Sequence, residues 1–264
     1  MSLLSSYFSF AHQLADQACE IAQSFFRNAA HDAELKADSS PVTLADKLIE
    51  HALRERIMHH YHYHGIIGEE AHAHQADADY QWIIDPIDGT RAFASGIPTF
   101  STLIGLMHRK EMLLGVVVQP FTQERWWGDN NTARTHNKPL CGAATRMLHH
   151  AKFATTSPFL FKDEEYAVFD FLRRHTAIQN YGGDAYNYMM LASGHIDVVL
   201  EAGLKPYDIL PLLPILRGAR AMISDWHGRP LCVSELIHTD SINVLATANK
   251  ALHERTLDSI HGLL

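Results

Sequence analysis

The sequence predicts an α/β (α+β) protein in which helices are layered on sheets. Three observations carry that prediction. Apolar residues recur at helical spacing near the start of the chain, short apolar runs bounded by turn residues recur through the rest, and the two kinds of segment mix along the whole length with no internal repeat. With 264 residues, 47% of them hydrophobic and 20% charged, the chain is long enough for one large domain or two small, closely packed ones, and it has no low-complexity tract.

The elements follow in order. Phe8, Ala11, Ala15, Ala18, Ile21, Ala22 and Phe25 share one face of a helix over 7–28. Residues 36–43 read as a turn with Pro41 as breaker, before a second helix from about 44 to about 58. A short strand at 65–68 delivers Glu69 and Glu70, and another at 81–84 delivers Asp85. Residues 99–108 and 111–119 form a hairpin around Arg109-Lys110, and Trp126-Trp127 continue the sheet. The stretch 135–145, with Pro139 and Gly142, links two halves, 1–140 and 141–264, of one compact unit. Beyond it come a strand at 152–157, a helix at 164–175, a Gly182-Gly183 break into a helix at 184–192, and a strand at 196–200. Asp208 is placed to N-cap a helix through Leu216, closed by Gly218, with Pro214 kinking it.

Charge and composition exclude some functions. A net charge of -8 lacks the basic footprint of a nucleic-acid binder, yet a phosphorylated small molecule can bind if metals supply positive charge locally. Cys19, Cys141 and Cys232 are far apart and lack zinc-ligand spacing, which reads as reduced thiols in a cytoplasm. The first residues lack the basic region of a signal peptide, and no apolar run is long enough to span a bilayer, so no membrane partner is expected. The nineteen histidines include His59, His60, His62, His64, His72 and His74; alternating spacing without a nearby Cys favours solvated histidines over a soft-metal site.

The chemistry concentrates in the run Trp82-Ile83-Ile84-Asp85-Pro86-Ile87-Asp88-Gly89-Thr90-Arg91. Two carboxylates three residues apart at a strand end repel one another unless a cation lies between them, and hard cations such as Mg2+ take clustered oxygen ligands. Gly89 and Thr90 can open a helix whose N–H groups suit an oxyanion. Metal carboxylates beside an anion cradle point to metal-assisted phosphoryl chemistry.

Gly68-Glu69-Glu70, then the Trp82 to Thr90 segment, then Asp208 opening a later helix, in that order, resemble the signature of the inositol monophosphatase superfamily of metal-dependent, lithium-sensitive phosphatases. Lys36, Ser40-Pro41-Val42-Thr43 and Asp46 also resemble its N-terminal loop, so the likeness spans nearly the whole chain. The resemblance implies a layered αβαβα sandwich, two to three Mg2+ ions per site, a small phosphorylated substrate and a homodimer. Carried over by position, Glu69 and Asp85 with the Ile87 carbonyl hold a first metal, and Asp85, Asp88 and Asp208 a second. A third, weaker ion leans on Glu69 and waters. Thr90, paired with Asp46, orients the attacking water, the Gly89 and Thr90 N–H groups hold the phosphate, and Glu70 supports Glu69 from behind.

Within the superfamily, the segments Asp88 to Phe93 with Ser95-Gly96 and Pro98, Tyr181 to Tyr186, and Glu201 to Asp208 resemble the histidinol-phosphate phosphatase branch. Asp184 and Glu201 can pair with the ammonium and imidazole of histidinol phosphate through charge-assisted hydrogen bonds. Each also has a plainer reading, Asp184 as a helix N-cap and Glu201 as a solvated strand end. Arg91 serves equally as a carboxylate or phosphate contact or as a salt-bridge partner. Ile209-Leu210-Pro211-Leu212 and Arg220 depart from the family's small residues and could reshape the pocket. The favoured activity is hydrolysis of L-histidinol phosphate, a step of histidine biosynthesis. An inositol-1-monophosphatase or a broad sugar-phosphate phosphatase is the alternative. A non-catalytic regulatory or RNA-associated protein on the same fold would be expected to lose carboxylates that are all present here.

Overall fold

The computed structural model describes residues 2–28, 34–35, 41–136 and 138–264. The turn expected over 36–40, with Lys36 and Ser40, lies outside the described residues.

The first half opens with α1 (Leu3–Phe25), a two-residue antiparallel pair β1 (Glu34–Leu35) and β2 (Pro41–Val42), and α2 (Leu44–His60). A seven-stranded sheet follows: β3 (Gly65–Gly68), β4 (Tyr80–Asp88), then, after the short helix α3 (Thr90–Ala94), β5 (Ser101–His108), β6 (Glu111–Gln119), β7 (Glu124–Gly128), β8 (Ala133–Thr135) and β9 (Lys138–Pro139). β3 and β4 are parallel and the rest is an antiparallel meander. The expected hairpin turn is there: Arg109 and Lys110 both have positive φ, 50° and 65°, as a two-residue turn matched to strand twist requires.

The second half comprises β10 (Lys152–Thr155), α4 (Asp163–His175), β11 (Ile178–Tyr181), α5 (Asp184–Ala192), β12 (Val198–Leu204), α6 (Pro206–Ile209), α7 (Leu213–Gly218), β13 (Met222–Ser224), α8 (Val233–Leu236), β14 (Ile242–Thr247) and α9 (Lys250–Ile260). Its five strands lie in the order β11-β10-β12-β14-β13.

Strand alternation builds five layers. On β4, Trp82 and Ile84 face a core shared with α1 and α2, whereas Ile83 faces a core shared with α5 and α7. On the second sheet, Ala154 and Val199 join that same middle core, while Phe153, Val198 and Leu200 face α4 and α9. Helix pair, sheet, helices, sheet, helix pair is the αβαβα sandwich. No helix among the described residues is long and apolar enough to cross a membrane. Among the histidines, His64 is buried, stacked on Tyr61 and Tyr80, and its Nδ1 accepts from Trp82 Nε1 at 3.2 Å; its role is packing.

Two boundaries differ from expectation in ways that shape the site. β4 does not stop at Ile84 but runs through Asp88. Asp85 pairs with Leu103 and Asp88 with Ser101, so β4 carries one extra residue there, a bulge that Thr102 Oγ1 pins by donating to the Pro86 carbonyl at 2.7 Å. Asp208 is not the N-cap of its helix. Lys205 is the N-cap, Pro206 takes the first turn, and Asp208 is the third helical residue, its Oδ2 accepting from Lys205 N at 2.8 Å. The segment then tightens to a 3₁₀ turn at Leu210–Leu212 before α7 resumes. Pro211 and Pro214 withhold two N–H groups there, so an unbroken α-helix cannot form.

This broken helix lies in a trough of three glycines. Gly105 pairs with Gly115 and Gly115 with Gly128 across β5, β6 and β7. A methyl group on Gly115 would meet the Pro211 carbonyl oxygen at 1.9 Å, and one on Gly128 would meet Ile215 Cα and the Pro214 oxygen at 2.8 Å. The bare backbone lets the Asp208 segment sit directly on the sheet. Gly115→Ala should therefore cost on the order of 1–3 kcal/mol through overpacking, read by chemical denaturation. Activity should fall with it as Asp208 is displaced; full stability and activity would contradict this placement.

Candidate active site

Both sheets end in a bulge at the same cavity. Like β4, β12 carries one extra residue, with Glu201 opposite Val244 and Leu204 opposite Ile242, and Gly203 sits in that irregularity at φ 78°. Between these strand ends lies a cavity of about 760 Å3 lined by residues that include Glu69, Asp85, Ile87, Asp88, Asp184 and Asp208.

Carboxylate oxygens of Asp85, Asp88 and Asp208 all come within 4.8 Å of one another. Each is held by a different element. Asp85 extends the β4 face that carries Ile83. Asp88 stands past the bulge, its Oδ2 accepting from Ala185 N in the first turn of α5 at 2.6 Å. Asp208 is fixed by its capping bond to Lys205 N. Burial pushes the Asp85 and Asp88 carboxyls well above the usual carboxylate range, with further upward pressure from Glu69 on Asp85 and from Asp184 on Asp88. Burial also pushes Asp208 up to about 7. Asp85 Oδ1 is buried with no hydrogen-bond partner among the described residues. A buried carboxylate oxygen without a donor, beside two more carboxylates, is what a hard cation with oxygen ligands fits.

Glu69 follows β3 and borders the cavity. Its loop is anchored by a residue that the sequence reading passed over. Glu50, buried on α2, accepts from Glu70 N at 2.7 Å and Ala71 N at 3.0 Å and pairs with Arg54 at 2.7 Å. Gly68 leaves the room, since a Cβ there would meet Glu50 Oε1 at 2.3 Å. The signal was present: Asp46, Ile49, Glu50, Leu53 and Ile57 share the buried face of α2, and a carboxylate on an apolar face needs donors.

Asp46 is buried, and burial raises its pKa. Its Oδ2 accepts from Thr43 N at 2.8 Å and from the Thr43 hydroxyl. Its Oδ1 lies 3.4 Å from Thr90 Oγ1, which also reaches the Ile87 carbonyl at 3.1 Å. Gly89, left-handed at φ 86°, is the N-cap of α3 and packs against Asp184; a Cβ would meet Asp184 Oδ2 at 3.1 Å.

Asp184 opens α5 behind Gly183, the residue in the N-cap position, so it does not cap that helix itself. Burial pushes it up to about 6, against the pull of the nearby Arg91 charge. Glu201 is fully buried rather than a solvated strand end. Its Oε1 accepts from Thr156 N at 2.7 Å and Thr156 Oγ1 at 3.0 Å, its Oε2 has no partner among the described residues, and burial pushes it up to about 8. Arg91 is exposed at the cavity rim. Ile209, Leu210, Pro211 and Leu212 are buried in the middle core and Arg220 is exposed; none lines the cavity, so these departures do not reshape it. Thr156 and Tyr188, also in the cavity wall, carried no sequence signal.

A carboxylate-walled cavity between two bulged sheets of an αβαβα sandwich defines a metal-dependent hydrolase of phosphate monoesters. The sequence model of the inositol monophosphatase family matches residues 3–263, and the chain belongs to that family. It is similar to the "bifunctional phosphatase IMPL2, chloroplastic" of Arabidopsis thaliana, at 37% identity over 97% of this chain and 75% of that one. A histidinol-phosphatase of Chlorobaculum parvum is 30% identical over 83% of this chain and 85% of its own. The structure of an inositol monophosphatase from Zymomonas mobilis superposes with a TM-score of 0.87 at 38% identity, covering 99% of this chain and 100% of that one.

The raised carboxyls give a pH signature. A carboxyl whose folded pKa lies above its unfolded one stabilises the fold while protonated and loses that contribution as pH rises through the folded value. For Asp208 and Glu201 that loss runs from the unfolded value of about 4 up to folded values of about 7 and about 8. Buried His64 and His253, pushed down to about 4, work in the opposite direction between about pH 4 and 6.5, so the net fall is expected from about pH 6.5 to about 8. In chelator, the melting temperature should fall across this window, by up to about 1.4 kcal/mol of stability per pH unit per group. Mg2+ should raise it more at the alkaline end. A flat or rising profile in chelator would contradict the assignment.

Proposed function

We propose that the protein is a Mg2+-dependent phosphatase of L-histidinol phosphate, releasing L-histidinol and phosphate. One observation carries this reading: beyond Glu69, Asp85, Asp88 and Asp208 the cavity holds two more acidic groups, Asp184 and Glu201, and Glu201 is buried with one oxygen unpaired among the described residues. A substrate of hydroxyls alone leaves burial to keep Glu201 protonated, whereas an ammonium or imidazolium favours its ionised form and gains a charge-assisted hydrogen bond. The likeness to a histidinol-phosphatase supports the same substrate.

Glu69 and Asp85 with the Ile87 carbonyl would hold one cation and Asp85, Asp88 and Asp208 another, with a third, weaker ion leaning on Glu69. Bound there, such ions make hydroxide available near neutral pH and offset charge on the leaving oxygen. The chain's own groups do the rest. The Thr90 hydroxyl, between Asp46 Oδ1 and the Ile87 carbonyl, orients the attacking water and passes its proton toward Asp46. The Gly89 and Thr90 N–H groups and Arg91 steady the phosphate. The water oxygen bonds to phosphorus as the bond to the alcohol oxygen breaks, and the departing alkoxide takes a proton from solvent. No covalent nucleophile is required. Inhibition by lithium, a homodimer, a cytoplasmic setting and a compact unit of two halves, 1–140 and 141–264, belong to the same proposal; no nucleic-acid or membrane partner does.

An inositol-1-monophosphatase, or a broad sugar-phosphate phosphatase, is the second reading, favoured by the likeness to the Zymomonas mobilis inositol monophosphatase. Phosphate release from L-histidinol phosphate and inositol 1-phosphate, with Mg2+ and side by side, separates them. The expected result is a preference of about a hundredfold in kcat/KM for histidinol phosphate, roughly 2.7 kcal/mol of discrimination. Equal turnover, or a preference for inositol phosphate, would hand the site to the second reading.

A further inference from the structure

One wall of the cavity is built where α5 packs on β12, and beside the Glu201 oxygen used above it holds a second buried polar atom, the Tyr188 hydroxyl, that the chemistry above leaves unused. Glu201 is 1% exposed; its Oε1 is occupied by Thr156, and its Oε2 has no partner among the described residues. Tyr188 is 2% exposed, and its hydroxyl also has no partner among the described residues. A buried hydroxyl and a buried carboxylate oxygen are each costly when unsatisfied. Both belong to residues that line the space where substrate must sit.

We infer that the Tyr188 hydroxyl and Glu201 Oε2 form one recognition pair for a protonated primary amine of the substrate, which makes Tyr188 a specificity-determining residue. The inference rests on the proposal that the substrate is an amine-bearing phosphate monoester. An ammonium brings three donors, of which Oε2 takes one and the phenol oxygen a second. The phenol keeps its own proton, because burial and the charges of Glu201, Asp88 and Asp208 push its ionisation upward. It can therefore give that proton to a carboxylate while its oxygen accepts from the ammonium. A neutral hydroxyl could touch the same atoms, but unlike an ammonium it brings no charge to favour the Glu201 carboxylate against burial and the Asp184 and Asp208 charges that oppose its ionisation. The Arg91 charge acts on Asp184.

The test compares L-histidinol phosphate with 3-(imidazol-4-yl)propyl phosphate, which lacks only the amino group, in the wild-type protein, Tyr188→Phe and Glu201→Gln. The wild-type protein should favour the amine in kcat/KM. Tyr188→Phe should lower that ratio by about tenfold or more, chiefly through KM, and Glu201→Gln should lower it further. The melting temperature of Tyr188→Phe should hold or rise, because the hydroxyl it removes has no partner among the described residues. An unchanged ratio in Tyr188→Phe would overturn the inference, as would equal losses on both substrates, which mark a structural role. If Glu201→Gln fails to fold, the Tyr188→Phe ratio decides. A wild-type protein that prefers histidinol phosphate to inositol 1-phosphate yet ignores the amino group sinks this inference and leaves the proposed function standing. A preference for inositol 1-phosphate sinks both.

Discussion

The repulsion among Asp85, Asp88 and Asp208 is the constraint around which the structure is arranged. Their oxygens meet within 4.8 Å. At an effective dielectric of about 20, each such pair, both ionised, costs on the order of 3 kcal/mol. Three pairs together rival the net stability of an ordinary domain. The protein can hold this arrangement only if protons or cations share the site, and the upward displacement of all three carboxyls is the protonic form of that requirement. At neutral pH, divalent cations meet it without sacrificing the ligands.

Rigid elements force the carboxylates together. The bulge in β4 turns Asp85 and Asp88 toward one cavity, the glycine trough seats the helix that brings Asp208, and the first turn of α5 reaches across to Asp88. Glu50 ties down the loop of Glu69 from beneath. Each of these supports decides where a ligand atom stands, and sub-ångström placement governs both metal affinity and the line of attack.

Much of this was legible in the chain because it depends on local pattern. The strand at 65–68 and the helix at 184–192 followed from apolar runs ending at Gly and Asp, and both form with those bounds. The carboxylates that meet in the cavity could be named because their spacing is chemical. What escaped depends on tertiary context. The extension of β4 to Asp88 needs β5 beside it, and the demotion of Asp208 from N-cap to third residue follows from Pro206 occupying the first turn. The edge strand β11 has only one pairing partner among the described residues, and β13 and α8 are only three and four residues long. Glu50 and Tyr188 were invisible as functional residues because their meaning lies in what surrounds them after folding.

Two demands therefore meet in one cavity. In the proposed reading one group of carboxylates would bind metal, and a second, Asp184 and Glu201, would choose among phosphate esters. The first demand is the more fundamental, since the choice of ester matters only if the phosphoryl group is held. Its most direct measurement is X-ray diffraction at the manganese edge from crystals equilibrated with Mn2+, which can stand in for Mg2+ at oxygen ligands. The account predicts anomalous peaks about 2.1 Å from carboxylate oxygens of Asp85, Asp88 and Asp208. Peaks confined to the surface, or to the histidines near the end of α2, would contradict it.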